Sequence, residues 1–101
     1  MKGPDPHQFD SVLLSPVRLA ILSTLIMLKE ADFMDLQATL NVTKGNLGIH
    51  GQKLEEAGYI EIRKAFQGRK PRTTYVLAAR GRRALIEHVR RLELLIKEER
   101  S

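Results

Sequence analysis

The sequence predicts a mainly helical domain with one β-hairpin, and three observations support this α+β fold class. Apolar residues recur at helical spacing in four segments, three before residue 58 and one after residue 79. Between them, over residues 59–79, apolar residues alternate with a period of two, which is typical of half-buried strands. Gly58 stands at the change of pattern, where a helix commonly ends. The strands are therefore expected only in the hairpin.

Length and composition limit what this chain can be. At 101 residues it is expected to form a single domain around one modest core. The sequence contains no cysteine, which excludes disulfides and thiolate metal sites within it. Its first residues lack the apolar segment of a signal peptide, and its longest apolar run is too short to span a bilayer. We therefore expect a cytoplasmic protein without membrane contact.

Charge is distributed unevenly along the chain. The formal net charge is +5. Residues 43–91 contain twelve Lys and Arg against four Glu, so this segment carries +8 and the remainder carries −3. A basic half beside a slightly acidic remainder indicates a polyanionic partner, the alternative being a basic surface that is merely solvated.

The N-terminal part is predicted to contain a flexible lead-in and two helices. Residues 1–10 include a glycine and two prolines, and we expect them to be frayed. A serine cap followed by proline begins a helix over 16–29. Asp32 caps a shorter helix that ends near residue 41. Arg18, in the first helix, is expected to pair with an acidic side chain rather than with phosphate.

The third helix, over residues 43–57, carries polar and basic side chains on its outward face. Thr43 can cap it, and Gly58 can end it. Leu47 and Leu54, seven residues apart, mark its inward face. A short helix and a longer one joined by a tight turn have the outline of a helix-turn-helix. The longer helix of such a pair fits the major groove of DNA, where each base pair presents different donors and acceptors.

Six side chains of the third helix are candidates for DNA contact, each against the alternative of an ordinary solvated residue. They are Lys44, Asn46, Ile49, His50, Gln52 and Lys53. Asn46 suits adenine, the two lysines suit guanine edges or phosphates, and Gln52 suits either. Ile49 points outward, where it could meet a thymine methyl group. For His50, nearer the inward face, a structural hydrogen bond or a phosphate contact is favoured over a base contact.

The tip of the hairpin is strongly basic. One strand is predicted over 59–65 and a second over 73–79. Residues 66–72, F-Q-G-R-K-P-R, lie between them and are called the wing below. Its three cations have little structural purpose at a hairpin tip, so we expect them to contact DNA phosphates or the minor groove; they are Arg69, Lys70 and Arg72. Phe66 is expected to pack under the wing.

A last helix is predicted from residue 80 to residue 100, in a terminal segment 80–101 that we expect to form a dimer interface. Its apolar stripe consists of Leu85, Val89, Leu92, Leu95 and Ile96. A helix of about 20 residues is long for so small a domain. Part of the stripe therefore lacks partners within the chain, which favours a homodimer. The alternative is a helix folded back fully onto its own core.

In this order the elements form a winged helix-turn-helix, and the sequence resembles a known group at the same places. The motifs are S-P-V-R-L-A-I-L (15–22), T-K-G-N-L (43–47), K-L-E-E-A-G-Y-I (53–60) and F-Q-G-R-K-P-R-T-T-Y (66–75). They resemble the small winged-helix transcriptional regulators of bacteria and archaea of the MarR and ArsR types. The resemblance covers residues 11–95, nearly the whole chain.

The sequence departs from this family in the third helix. Gly51 stands where the family usually has a bulky apolar residue, and Gly48 stands where it usually has serine. With Gly45 they make three glycines in one helix, each costing about 1 kcal/mol relative to alanine. Either this helix is marginal until it is packed or bound, or the glycines allow a backbone to approach it closely.

The resemblance implies a homodimeric regulator that binds double-stranded DNA sequence-specifically, with residues 11–79 as the DNA-binding domain and 80–101 as the dimerisation helix. It implies no cofactor. We expect no enzyme and no metal site, because the three histidines are scattered without ligand spacing. One alternative is a winged helix that binds another protein instead of DNA. A small-molecule effector at the dimer interface would add to DNA binding, but the sequence does not locate a pocket for it.

Overall fold

The computed structural model describes residues 5–99, with side chains described for residues 5–97. In order, this part of the chain contains α1 (Pro16–Leu28), β1 (Glu30–Asp32), α2 (Phe33–Leu40), α3 (Lys44–Glu56), β2 (Ile60–Gln67), β3 (Lys70–Leu77) and α4 (Ala79–Glu99). Two single turns of 3-10 helix, Pro6–Gln8 and Ser11–Leu13, precede α1. The predicted α+β class, with its helices around one hairpin, is confirmed.

The first three helices begin at the predicted cap residues. Ser15, Asp32 and Thr43 each accept a hydrogen bond from a backbone N–H of the first turn, at 3.3, 3.2 and 3.1 Å respectively. Each bond satisfies a donor that the helix itself leaves free. After α3, Gly58 adopts a φ of +79°, which glycine tolerates without strain, and the chain turns directly into β2.

The sheet contains one strand more than predicted, and its hairpin is longer. In the described chain the strand order is β1-β3-β2, and all pairs are antiparallel. The three-residue β1 pairs with residues 74–76, and E-A-D carries no alternation that would predict a strand. The predicted strand boundaries at 65 and 73 were wrong. A two-residue turn at 68–69, with Gly68 at φ +66°, lets the ladder continue to Gln67 and Lys70.

Tyr75 of β3 joins the sheet to the helices. It is buried in a core that also contains Leu13, Ile21, Leu22, Leu25, Leu36, Leu47, Leu54, Ile60 and Leu85. The Tyr75 hydroxyl donates a 3.1 Å hydrogen bond to the Leu47 carbonyl of α3. Its ring meets Phe33 of α2 edge-on, with the ring centroids 5.8 Å apart. Tyr75 therefore packs both α2 and α3 against the sheet.

The close approach of Tyr75 explains one of the three glycines in α3. Gly51 is buried, and a Cβ built there would overlap the ring and hydroxyl of Tyr75. A Cβ at Gly45 or Gly48 would instead meet open space. A close approach therefore does occur at Gly51, but the group that approaches is the Tyr75 side chain and not a backbone as considered. The Tyr75 ring from β3 fills the volume that a bulky residue 51 would occupy.

The C-terminal half of α4 extends beyond the core. Near its start the helix packs on α1, where Leu85 and His88 are buried. Farther along, Val89, Leu92 and Ile96 of the predicted stripe are exposed. The molecule accordingly measures 61 Å along its longest axis and 24 and 21 Å across. A helix folded back fully onto its own core, the alternative considered for α4, does not describe this structure.

A hydrogen bond attaches the N-terminal segment to the end of α3. Asp10 caps the 3-10 turn Ser11–Leu13 and also accepts a hydrogen bond from the Tyr59 hydroxyl. Of the predicted lead-in, residues 1–4 lie outside the described residues. Residues 5–10 contain the first 3-10 turn, capped by Asp5.

Both tyrosines are expected to ionise about two pH units above the usual value. Burial raises the pKa of Tyr59 to about 12, reinforced by Asp10, and burial raises the pKa of Tyr75 to about 12, reinforced by Glu55. The unfolded chain releases these protons near pH 10, so the associated stability is complete below pH 10 and is lost towards pH 12. Phenolate absorbance, titrated in the native protein and in urea, measures both midpoints. A native midpoint near 10 would contradict this expectation.

Candidate functional site

The outward face of α3 carries the side chains that the sequence analysis assigned to it. Leu47, Gly51 and Leu54 are buried. The exposed residues of the predicted set are Lys44, Asn46, Ile49, Gln52 and Lys53. Ile49 is 57% exposed although it is apolar. The helix thus presents two cations, two amides and one apolar group on a solvent-exposed surface that is not packed against the core.

His50 lies half-buried at the edge of this face and contacts α1. Its Nδ1 atom is 2.9 Å from Nη1 of Arg18, whose Nε donates to the Val12 carbonyl oxygen. The expectation that Arg18 pairs with an acidic residue was wrong, because α3 places an imidazole where the guanidinium points. Burial lowers the pKa of His50 below 6.5, and the charges of Arg18 and Lys53 lower it further.

The three wing cations differ in the contacts that they make within the protein. Arg69 and Lys70 are exposed, and neither has a salt-bridge partner among the residues that the structure describes. Arg72 donates from Nε to Asp32 at 3.1 Å and from Nη1 to Gln67 at 3.5 Å. Exposed ion pairs of this kind contribute about 0–1 kcal/mol, so the Arg72 guanidinium can exchange partners at little cost.

Phe66 does not pack under the wing as expected. Its side chain is 76% exposed, and it pairs across the hairpin with Pro71. Residues 63–72 are all exposed, so an alternating pattern has no core to face in this part of the hairpin. The wing therefore presents an aromatic ring to solvent beside its cations.

A cleft separates α3 from the sheet. It has a volume of about 410 Å³, and its lining includes Gly48 and Gln52 of α3, Lys64 of β2 and Thr73 of β3. Lys64 was missing from the predicted set, although strand alternation puts it on the same face as Ile62 and opposite to Arg63. This alternation was the signal that could have identified it. The cleft connects the outward face of α3 with the hairpin.

Several carboxylates of the basic segment 43–91 form hydrogen bonds or ion pairs with nearby residues. Glu55 accepts a 2.8 Å hydrogen bond from the Ile62 backbone N–H. Glu61 pairs with Arg63 at 3.1 Å, and Glu87 lies 3.5 Å from Arg91. No carboxylate of the described residues pairs with Lys44, Lys53, Arg69 or Lys70.

Known proteins share this arrangement of helices and hairpin. Residues 17–96 match the family model described as a winged helix DNA-binding domain. The chain belongs to this family. The resemblance inferred from the sequence motifs is thereby confirmed.

Three archaeal proteins are similar to this winged helix chain. An uncharacterised protein of Methanocaldococcus jannaschii is 36% identical over 75 residues, which are 74% of this chain and 82% of that protein. A transcriptional regulator homologue from Pyrococcus horikoshii has a similar structure, with a TM-score of 0.80, 31% identity and 86% of each chain covered. The transcriptional regulator BldR from Sulfolobus solfataricus shares the fold, with a TM-score of 0.69 and 21% identity over 92% of this chain and 69% of that one.

The described residues contain neither a cluster of metal-ligating side chains nor a membrane-spanning helix. Within residues 5–97, no three His, Cys, Asp or Glu side chains lie together in a group that could hold a metal ion. His7, His50 and His88 lie on three separate elements. Among the helices described, none combines the length and apolar character needed to cross a bilayer.

Proposed function

We propose that this winged helix chain is a homodimeric, sequence-specific regulator of transcription that acts on double-stranded DNA in the cytoplasm. The observation that carries the proposal is the division of α3 into a buried face, Leu47, Gly51 and Leu54, and an outward face of amides and cations. The descriptions of the Pyrococcus horikoshii and Sulfolobus solfataricus relatives as transcriptional regulators support it.

In this proposal α3 enters the major groove and reads bases. Asn46 and Gln52 offer amides that pair with adenine edges, and Lys44 and Lys53 reach guanine edges or nearby phosphates. Ile49, exposed and without a core to join, meets a thymine methyl group. Thr43 keeps its structural role, because its hydroxyl already accepts a hydrogen bond from the Asn46 backbone N–H.

The wing supplies affinity more than specificity. Arg69 and Lys70 extend from a two-residue turn and contact the phosphate backbone or the minor groove. Arg72 joins them by exchanging Asp32 for a phosphate, with which a guanidinium can also form a bidentate pair. Lys64, in the cleft between α3 and the sheet, adds a cation on the same side.

A homodimer would place two copies of α3 on one DNA duplex. Successive major grooves on one side of B-DNA are about 34 Å apart, so a two-fold symmetric pair of winged helices binds a near-palindromic site. The exposed apolar stripe of α4, Val89, Leu92 and Ile96, is the proposed contact between the copies. We assign no effector, cofactor or catalytic step to the protein.

Replacing Arg69 and Asn46 is expected to affect DNA binding in different ways. Arg69→Ala should weaken binding to all duplexes and reduce the slope of log K against log salt by about one. Asn46→Ala should mainly relax preference at one base pair, by about 1–3 kcal/mol. Fluorescence anisotropy over a salt series, with duplexes selected from a random library, measures both effects.

Arg63→Ala is the matched control for the wing variant. Arg63 is an exposed arginine of the same hairpin, but it lies on the face of β2 opposite to Lys64 and is paired with Glu61. Its replacement should leave the salt slope unchanged. If the wild-type protein showed no salt-sensitive duplex binding, the DNA proposal would be wrong and the protein-binding alternative would take its place.

A further inference from the structure

The contact between Arg18 and His50 determines where the imidazole carries its proton. An arginine guanidinium has only donors and stays protonated at all ordinary pH values. Nη1 of Arg18 is 2.9 Å from Nδ1 of His50, so Nδ1 must be the acceptor and carry no proton. The ring is then the neutral form with its proton on Nε2.

The guanidinium that makes this contact is itself held in place. Its Nε donates to the Val12 carbonyl at 2.5 Å, and the backbone N–H of Arg18 donates to the Ser15 cap at 3.3 Å. Arg18 is therefore tied to the turn before α1 and to the start of α1 while it reaches α3. A donor fixed at several points loses little freedom when it orients a partner.

The second ring nitrogen of His50 is left as a free donor. Within the described residues, Nε2 forms no hydrogen bond, and it is not a buried atom without a partner. His50 is four residues after Asn46 and three before Lys53, so all three side chains lie on neighbouring positions of α3. Asn46 and Lys53 belong to the outward face, and His50 stands at its edge.

We propose that Arg18 is a positioning residue for DNA binding, which fixes the His50 ring so that its Nε2–H donates a hydrogen bond to a DNA phosphate oxygen. This inference rests on the proposed function and deepens it. A position at the edge of α3 suits the sugar-phosphate backbone that borders the major groove. The neighbouring guanidinium also favours an anion at this point. The contact sets the register of α3 and does not itself read sequence.

The first arm of the test needs no DNA. Nitrogen NMR of the imidazole ring should show Nδ1 unprotonated, Nε2 protonated and a pKa below 6.5 in the wild-type protein. The charged groups that act on this ring are Arg18 from α1 and Lys53 from α3. In Arg18→Met the pKa should move back towards its usual value. A ring with its proton on Nδ1, or a pKa that Arg18→Met does not change, would overturn the inference.

The second arm separates a phosphate contact from a structural bridge between α1 and α3. The amide oxygen of His50→Asn stands near the position of Nδ1 and keeps an acceptor for Arg18, but this variant has no group at the place of Nε2. His50→Asn and His50→Ala should therefore both weaken duplex binding, by about tenfold or more. Wild-type affinity in His50→Asn would show that the bridge alone matters and would overturn the proposal.

A double-mutant cycle tests whether Arg18 acts through His50. Arg18→Met should weaken binding in the wild-type background and have little further effect in His50→Ala. Equal losses in both backgrounds would mean that Arg18 meets DNA by itself, contrary to the proposal. His7→Ala, an exposed histidine outside α3, is the control, and thermal melting reports whether each variant is folded. If the wild type bound no duplex, the proposed function would fail together with the phosphate contact, while NMR would still report the tautomer.

Discussion

Gly51→Ala is expected to destabilise the protein by about 2–3 kcal/mol, although alanine is the better helix former. The new methyl group would overlap the ring and hydroxyl of Tyr75, which would have to leave its buried position between α3 and the sheet. Displacing Tyr75 would also break its hydrogen bond to the Leu47 carbonyl and leave buried polar groups without partners. These losses exceed the gain of about 1 kcal/mol in helix propensity. Urea denaturation measures the difference.

Gly48→Ala, one turn earlier in the same helix, is the matched control. A Cβ at Gly48 meets no atom within 4 Å, so this variant should be more stable than the wild type by about 0.5–1 kcal/mol. Combining Gly51→Ala with Tyr75→Phe removes the atom nearest to the new methyl group. The double variant should therefore lose less than the sum of the single losses. Equal stabilisation by Gly48→Ala and Gly51→Ala would show that Tyr75 does not restrict α3.

Leu92→Lys is expected to convert the proposed dimer into monomers. Leu92 is 42% exposed and lies on the same side of α4 as Val89 and Ile96, so a second copy would bury it at the centre of the interface. A lysine charge there would have to be desolvated without a partner, which costs several kcal/mol. Affinity for a palindromic site should fall by about 100-fold or more, because the two half-sites would no longer be bound together. Analytical ultracentrifugation and anisotropy measure the two effects.

Leu94→Lys is the control for this interface. Leu94 is 45% exposed, close to the value for Leu92, but it projects from the opposite side of α4. The replacement has the same chemistry and should leave both the mass and the DNA affinity unchanged. A wild-type protein that sediments as a monomer would contradict the dimer directly. Dissociation by Leu94→Lys and not by Leu92→Lys would place the interface on the other side of the helix.

Local signals predicted the helices well, because each is specified within a few residues. The caps Ser15, Asp32 and Thr43 depend on a side-chain oxygen and the next backbone N–H groups, and all three form as expected. The short strand β1 could not be predicted in this way. Its three residues are a strand only because residues 74–76 of β3 lie beside them. A segment of three residues is too short to carry a sequence pattern that would predict its pairing with a distant strand.

The same contrast between local and long-range contacts applies to the candidate site. Periodicity alone separated Leu47 and Leu54 from the outward residues of α3, and the structure agrees. The partner of Arg18 and the exposure of Phe66 were predicted incorrectly, because both depend on which element lies opposite. The need for a glycine at position 51 likewise depends on a distant residue, Tyr75, which is 24 positions later in the sequence. Contacts between distant segments decide such details, and a single sequence does not specify them.

In the proposed complex with DNA, strand β3 also sets the width of duplex that one copy can cover. Its Tyr75 is anchored to α3 at Leu47, and the same strand runs without interruption to Lys70 at the hairpin turn. Five residues of extended chain span roughly 17 Å. The distance between α3 and the hairpin tip, which are proposed to contact bases and backbone, is therefore a property of strand length. Winged helices with hairpins of other lengths would contact phosphates at a different distance from the bases they read, even if the helix residues were the same.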